Sequence, residues 1–172
     1  MKTTKKGFTL IELIVVIAII GVLAAILVPS MLGYVRKSKI SSANSTASSI
    51  YKAINSALTE LDEEGVDVGA SGVLKKTNAT SAWSTAGSGT ISSVPGGSRF
   101  DTKVANFFKD IKKVSNEIQA QLEDGSCVAV AVCTNSTYTG TYPSGVVTTD
   151  TYTSYKNAAG TALSAAYSLY SK

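Results

Sequence analysis

The 172 residues suffice for one domain beside an N-terminal helix, and the formal charge of +4 arises from 16 basic and 12 acidic side chains. Histidine is absent, which removes Ser-His-Asp triads, Cys-His dyads and the commonest metal ligand, so neither an enzyme nor a metal centre is expected and no cofactor is implied. Nucleic acid is not expected as a direct ligand either, because the charge gives it little support beyond the local cluster Arg36, Lys37 and Lys39.

The chain opens with Lys2, Lys5 and Lys6, then Gly7, then Phe8-Thr9-Leu10-Ile11-Glu12-Leu13 and an apolar run from Ile14 to Val28 that ends at Pro29. Glu12 is the one charge between Phe8 and Tyr34. An ionised carboxylate in such a segment costs roughly 2.5 to 3.5 kcal/mol even on lenient insertion scales. Such a residue needs a reason: either Glu12 stays near the interface of an imperfect signal peptide or anchor, or it meets a positive charge created later.

Lys5-Lys6-Gly7-Phe8-Thr9-Leu10-Ile11-Glu12 with its apolar helix resembles the leader and cleavage site of type IV pilins and pseudopilins, over roughly the first 55 residues. The resemblance implies a leader of residues 1–7, removed by a prepilin peptidase that cuts between Gly7 and Phe8 and N-methylates Phe8. It implies that Glu12 neutralises the Phe8 ammonium of a neighbouring subunit and so sets the register of assembly. Two opposite charges in an apolar filament core are tolerable only as a pair, which agrees with that role. Removal of Lys2, Lys5 and Lys6 would leave 13 basic against 12 acidic residues.

Two other readings of this segment stand beside it. A secretory peptide could be cut after Val22-Leu23-Ala24, although the apolar run continues to Val28. A permanent anchor needs only length, and residues 8–32 give about 37 Å of helix at 1.5 Å per residue. The pilin reading contains the anchored form as a membrane intermediate with a cytoplasmic N-terminus, on its way to an extracellular pilus.

After Pro29 the spacing Ala43, Ala47, Ile50, Ile54, Ala57, Leu61 predicts a helical stripe that packs on a globular head, and Gly65 supplies the stop. A single helix from Phe8 to Glu63 would be about 84 Å long, more than a compact domain needs. Gly21 and Pro29 mark the helix-break region: proline lacks the amide donor, and in related filaments this segment can lose helix on packing. The predicted organisation is therefore a leader (1–7), an apolar transmembrane or filament-core helix (8–32) and a head (33–172).

Residues 65–98 read as a long Gly/Ser/Thr-rich connection, with a short strand or helical turn near Val73-Leu74 and Trp83 as a plug against the core. A second helix is predicted from Asp101, as its cap, to Leu122, burying Val104, Phe107, Phe108, Ile111, Val114, Ile118 and Leu122. Cys127 to Cys133 reads as a central strand, followed by turns at Gly140, Pro143 and Gly145 and a strand from Val146 to Thr153. The tail 157–170 fits a helix better than an edge strand.

Positions six apart on a strand are about 20 Å distant, so Cys127 and Cys133 are not expected to form a disulfide, and even spacing puts both on one face. Many pilins close a C-terminal loop with a disulfide, and this chain departs from that pattern. Asn44, Asn78 and Asn135 open Asn-X-Ser/Thr triplets, which chance explains in a chain this rich in those residues. The fold class is α+β: a long N-terminal helix and a head with a second helix and a small antiparallel sheet. The resemblance implies a homo-oligomeric helical filament, extruded by a membrane platform and ATPases. A secretion or DNA-uptake pseudopilin, or an anchored or secreted binding domain, are the alternatives.

Overall fold

The computed structural model describes residues 7–87, 89–114 and 116–171. Lys2, Lys5, Lys6 and most of the expected leader lie outside the described residues. The chain divides into two units, residues 1–36 and 37–172.

Helix α1 covers Leu10–Glu63. Its apolar part keeps every side chain from Phe8 to Val35 exposed. The helix is continuous through Gly21 and Pro29, and the Ser30 hydroxyl donates to the Leu27 carbonyl at 2.9 Å. The expected loss of helix between these two residues concerns packed filaments, and a single chain leaves it a proposal.

In the second unit the same helix buries Ile40, Ala43, Ala47, Ile50, Ile54, Ala57, Leu58 and Leu61. This is the stripe that the sequence spacing predicts, and each large aliphatic side chain so buried contributes about 1.5 to 3 kcal/mol. It lies against a five-stranded antiparallel sheet of β1 (Gly72–Lys76), β2 (Ser84–Ala86), β3 (Ile118–Glu123), β4 (Ser126–Cys133) and β5 (Thr139–Tyr142). The spatial order is β2-β1-β3-β4-β5. Helices α2 (Ser98–Phe107) and α3 (Ala159–Tyr170) complete the unit. Helix α3 matches the helical reading of the tail, and the α+β class holds.

The sheet is covered on both faces. On one, Leu74, Ile118, Ala120, Leu122, Cys127, Val130 and Val132 pack with the α1 stripe, Phe100 and Val104. On the other, Ala129, Ala131 and Cys133 pack with Ala159, Ala162, Leu163 and Ala166 of α3. Double coverage explains why β4 is an almost unbroken apolar run rather than an alternating one. Trp83 is buried against Phe100 with ring centroids 5.7 Å apart, as a plug should be.

Several sequence expectations are corrected. The helix expected over 101–122 ends at Phe107, followed by a 3-10 turn at Lys109–Lys113 and then by β3. Ile118, Ala120 and Leu122 alternate with the less buried Gln119 and Gln121, and pairing with both β1 and β4 favours this period of two over the helical spacing. Asp101 is not the cap: α2 begins at Ser98, and the Asp101 carboxylate accepts the Trp83 N–H at 3.1 Å.

The strand expected over 146–153 is a turn-rich loop leading to a 3-10 turn at Tyr152–Tyr155, and β5 occupies the stretch read as turns. The Thr151 hydroxyl donates to the Val146 carbonyl at 2.8 Å and accepts the Thr148 N–H at 3.0 Å, a local alternative to strand pairing. In β5, Gly140 serves close approach: a Cβ there would lie 2.0 Å from the Ala43 carbonyl oxygen.

The two cysteines are free and buried, but they occupy opposite faces of β4. A register shift leaves Val128 as an extra residue between Cys127, opposite Leu122, and Ala129, opposite Gln121. The bulge changes the phase of alternation by one, so an even spacing no longer means one face. Burial raises the pKa of both thiols.

Candidate functional site

The residues singled out for processing and assembly gather at the start of α1. Thr9 immediately precedes the helix and Glu12 lies three positions later, which is the spacing of a capping box. Oε2 of Glu12 accepts the Thr9 N–H at 2.8 Å and the Thr9 hydroxyl at 2.6 Å, and the Glu12 N–H is 3.4 Å from Oγ1 of Thr9. The carboxylate is thereby folded back toward the backbone of residue 9, whose neighbour is Phe8. Thr9 was not among the residues the sequence reading selected, yet the Thr-X-X-Glu spacing before an apolar run carries the signal.

Phe8 is 83% exposed, and Phe8, Ile11, Glu12, Val15 and Val16 border an open recess of about 350 Å³. Gly7 is equally open, since a Cβ there would meet nothing within 4 Å. Any requirement for glycine at position 7 must therefore come from something that reads the chain, not from its own packing. Helix α1 is long and apolar enough to cross a membrane. Gly21 and Pro29 lie about 14 and 26 Å from Glu12 along it, at about 1.5 Å per residue, and do not join Glu12 in a common site.

The second unit carries polar contacts that hold α1 to the sheet. Asn55 donates to the Cys127 carbonyl at 3.1 Å and accepts the Cys127 N–H at 2.9 Å. Oδ1 of Asn44 accepts the N–H of Thr141 at 2.9 Å. At the end of the helix Lys103 of α2 bridges Glu60 at 2.9 Å and Glu64 at 2.7 Å, and Arg99 reaches Glu64 at 3.2 Å. Lys37 and Lys39 are exposed. Among the described residues no cluster of Cys, Asp and Glu is arranged to hold a metal ion.

The geometry is thus that of a capped, lipid-compatible helix with one carboxylate at its entry, continuous with a helix that forms one layer of a head. Residues 2–28 match the family described as the prokaryotic N-terminal methylation motif. Over 67 residues, 39% of this chain and 42% of the relative, the chain is 45% identical to a type IV major fimbrial protein of Dichelobacter nodosus. It is 46% identical over 57 residues to the type IV major pilin protein of Myxococcus xanthus (33% of this chain, 26% of the relative). It is 46% identical over 56 residues to a fimbrial protein of Pseudomonas aeruginosa (33% and 36%). The N-terminal part of the chain is thus similar to type IV pilins and fimbrial proteins. The similarity spans less than half the length of each of these relatives. No solved structure matches the chain.

Proposed function

We propose that the chain is the structural subunit of a type IV pilus, cut by a prepilin peptidase after Gly7, methylated on Phe8 and polymerised through residues 8–32 into an extracellular filament. The observation that carries this reading is the methylation motif at residues 2–28 joined to an apolar helix with Glu12 at its entry. The role is structural and not catalytic. The precursor waits in the membrane as a single-pass protein. It then passes into the filament by way of an assembly platform and its ATPases.

Transfer of the helix from lipid to filament core is close to neutral in hydrophobic terms, so packing and charge pairing must supply direction. Cleavage creates an ammonium on Phe8, and Glu12 of an adjacent subunit neutralises it. The capping box supports this role, because Thr9 holds the carboxylate at the N-terminal end of the helix, beside the place where that ammonium appears. Packing against neighbours is where helix between Gly21 and Pro29 would be lost.

Mass measurement of the mature chain tests the cut: a start at Phe8 carrying one methyl group supports it, and a start at Ala25 or an uncut chain overturns it. Glu12→Val tests the pairing. That variant should still be inserted and cut, yet filament yield should fall sharply, because removing one member of a buried ion pair costs about 3 to 5 kcal/mol. Filaments in normal amounts from Glu12→Val would sink the register role.

A further inference from the structure

We infer that a second contact between copies of this chain joins the last turn of α1, carrying Asp62 and Glu63, to the groove beside Lys37 on another copy. The inference rests on the filament reading above and adds a long-range contact to the local one at Glu12.

Glu60, Asp62, Glu63 and Glu64 crowd the C-terminal end of α1, where the helix dipole disfavours negative charge and no basic residue lies in the last turn. The fold compensates two of them, since Lys103 serves Glu60 and Glu64 and Arg99 also serves Glu64. Asp62 and Glu63 are exposed, and among the described residues neither enters an ion pair. Such a pair of acids is unfavourable in a lone subunit and becomes favourable against a cation from outside.

The same helix carries that cation. Lys37 is exposed and likewise enters no ion pair among the described residues. It borders a groove of about 630 Å³ with Ser41, Asn44, Ser45, Tyr142 and Thr148, in which it is the one charged lining residue. Hydroxyl and amide groups with a single ammonium suit an acidic, polar helix end. Lys37 and Asp62 are 25 positions apart, so at 3.6 residues per turn they lie within about 20° of one another, displaced by about 37 Å along the axis. A face that is positive at one end and negative at the other joins copies head to tail, the kind of contact that propagates into a filament and does not close on itself.

The test is a charge exchange in the full chain, read as sheared filament yield. Lys37→Glu alone, and Asp62→Lys with Glu63→Lys, should each lower the yield at least tenfold while the cut chain accumulates in the membrane. The combined variant should return to within about threefold of the parent. Single exchanges with normal yield, a combined variant no better than its parts, or rescue by Lys52→Glu in place of Lys37→Glu would each overturn the contact. Should an exchange unfold the head, Lys37→Cys with Asp62→Cys decides: covalent dimers should form in oxidised filaments and not with either cysteine alone, and their absence overturns the proposal. A parent chain that forms no filaments defeats the filament reading itself, which separates that failure from this one.

Discussion

Asn55 of α1 pairs with both backbone groups of Cys127, donating to its carbonyl and accepting its N–H. Strand β5 runs beside Val130–Cys133 only, so Cys127 lies past its end, and the helix supplies the pairing that a longer strand would have given. Asn55→Ala should destabilise the head by about 1 to 3 kcal/mol, because it leaves a donor and an acceptor of a buried segment without partners. Urea unfolding of the detergent-solubilised chain measures this. Asn55→Leu should be no better, since added apolar area does not satisfy the strand.

Gly140→Ala should be more severe. The new methyl would sit 2.0 Å from the Ala43 carbonyl oxygen and 2.6 Å from the Asn44 nitrogen, both backbone atoms of a packed helix, so β5 must move away from α1. Overpacking of this kind costs about 1 to 3 kcal/mol or more. Weaker binding of β5 should also break the bond from Thr141 N–H to Asn44, which amide exchange at Thr141 reports directly.

The cysteines should behave alike despite facing different layers. Both thiols are buried and their pKa is raised, so at pH 8 each stays protonated and shielded. Alkylation of the native chain should be slow at both positions and rapid at both after unfolding in denaturant. Fast labelling of one alone would show that its side of the sheet opens independently.

Acid should loosen the junction of α1 and α2. The hydrogen bond from Lys103 holds the Glu64 pKa below its ordinary value, with Lys103 and Arg99 adding charge attraction. A lowered carboxylate pKa contributes stability above the unfolded value, and that contribution disappears as pH falls through the folded one. The pKa of Lys103 is raised by the same contacts, so its contribution disappears only as pH rises beyond the ordinary lysine range. Lys103→Met should flatten the acid limb of the stability profile. An unchanged limb would show that the exposed pair is screened.

Much of the molecule was legible from residue order where a pattern had one physical meaning. The stripe from Ala43 to Leu61 reads as one face of a helix, and Trp83 reads as an interior plug rather than a ligand platform. Ile118 to Leu122 was misread because its apolar spacing suits a helix continued from Val104 as well as it suits a strand, and only its partners β1 and β4 decide between them. The face of Cys127 was hidden for another reason: a bulge leaves no mark on composition. The start of α1 divides in the same way. Glu12 announces itself as a charge in an apolar run, whereas its bond to Thr9 needed the capping pattern to be sought.

From Cys127 to Cys133 strand β4 is buried on both sides, and β3 has no fully exposed position, which bears on what the head can be made to display. An epitope, a dye or a cargo peptide placed within β3 or β4 would have to displace a layer of the core. The segment just past β2 at Gly87 and the loop at Gly145 are different: an added side chain would meet nothing within 4 Å at either, although their positive φ angles of 84° and 111° favour insertion over substitution. If the chain polymerises as proposed, every copy would present whatever is grafted there, so these two segments are the natural handles for decorating such a fibre.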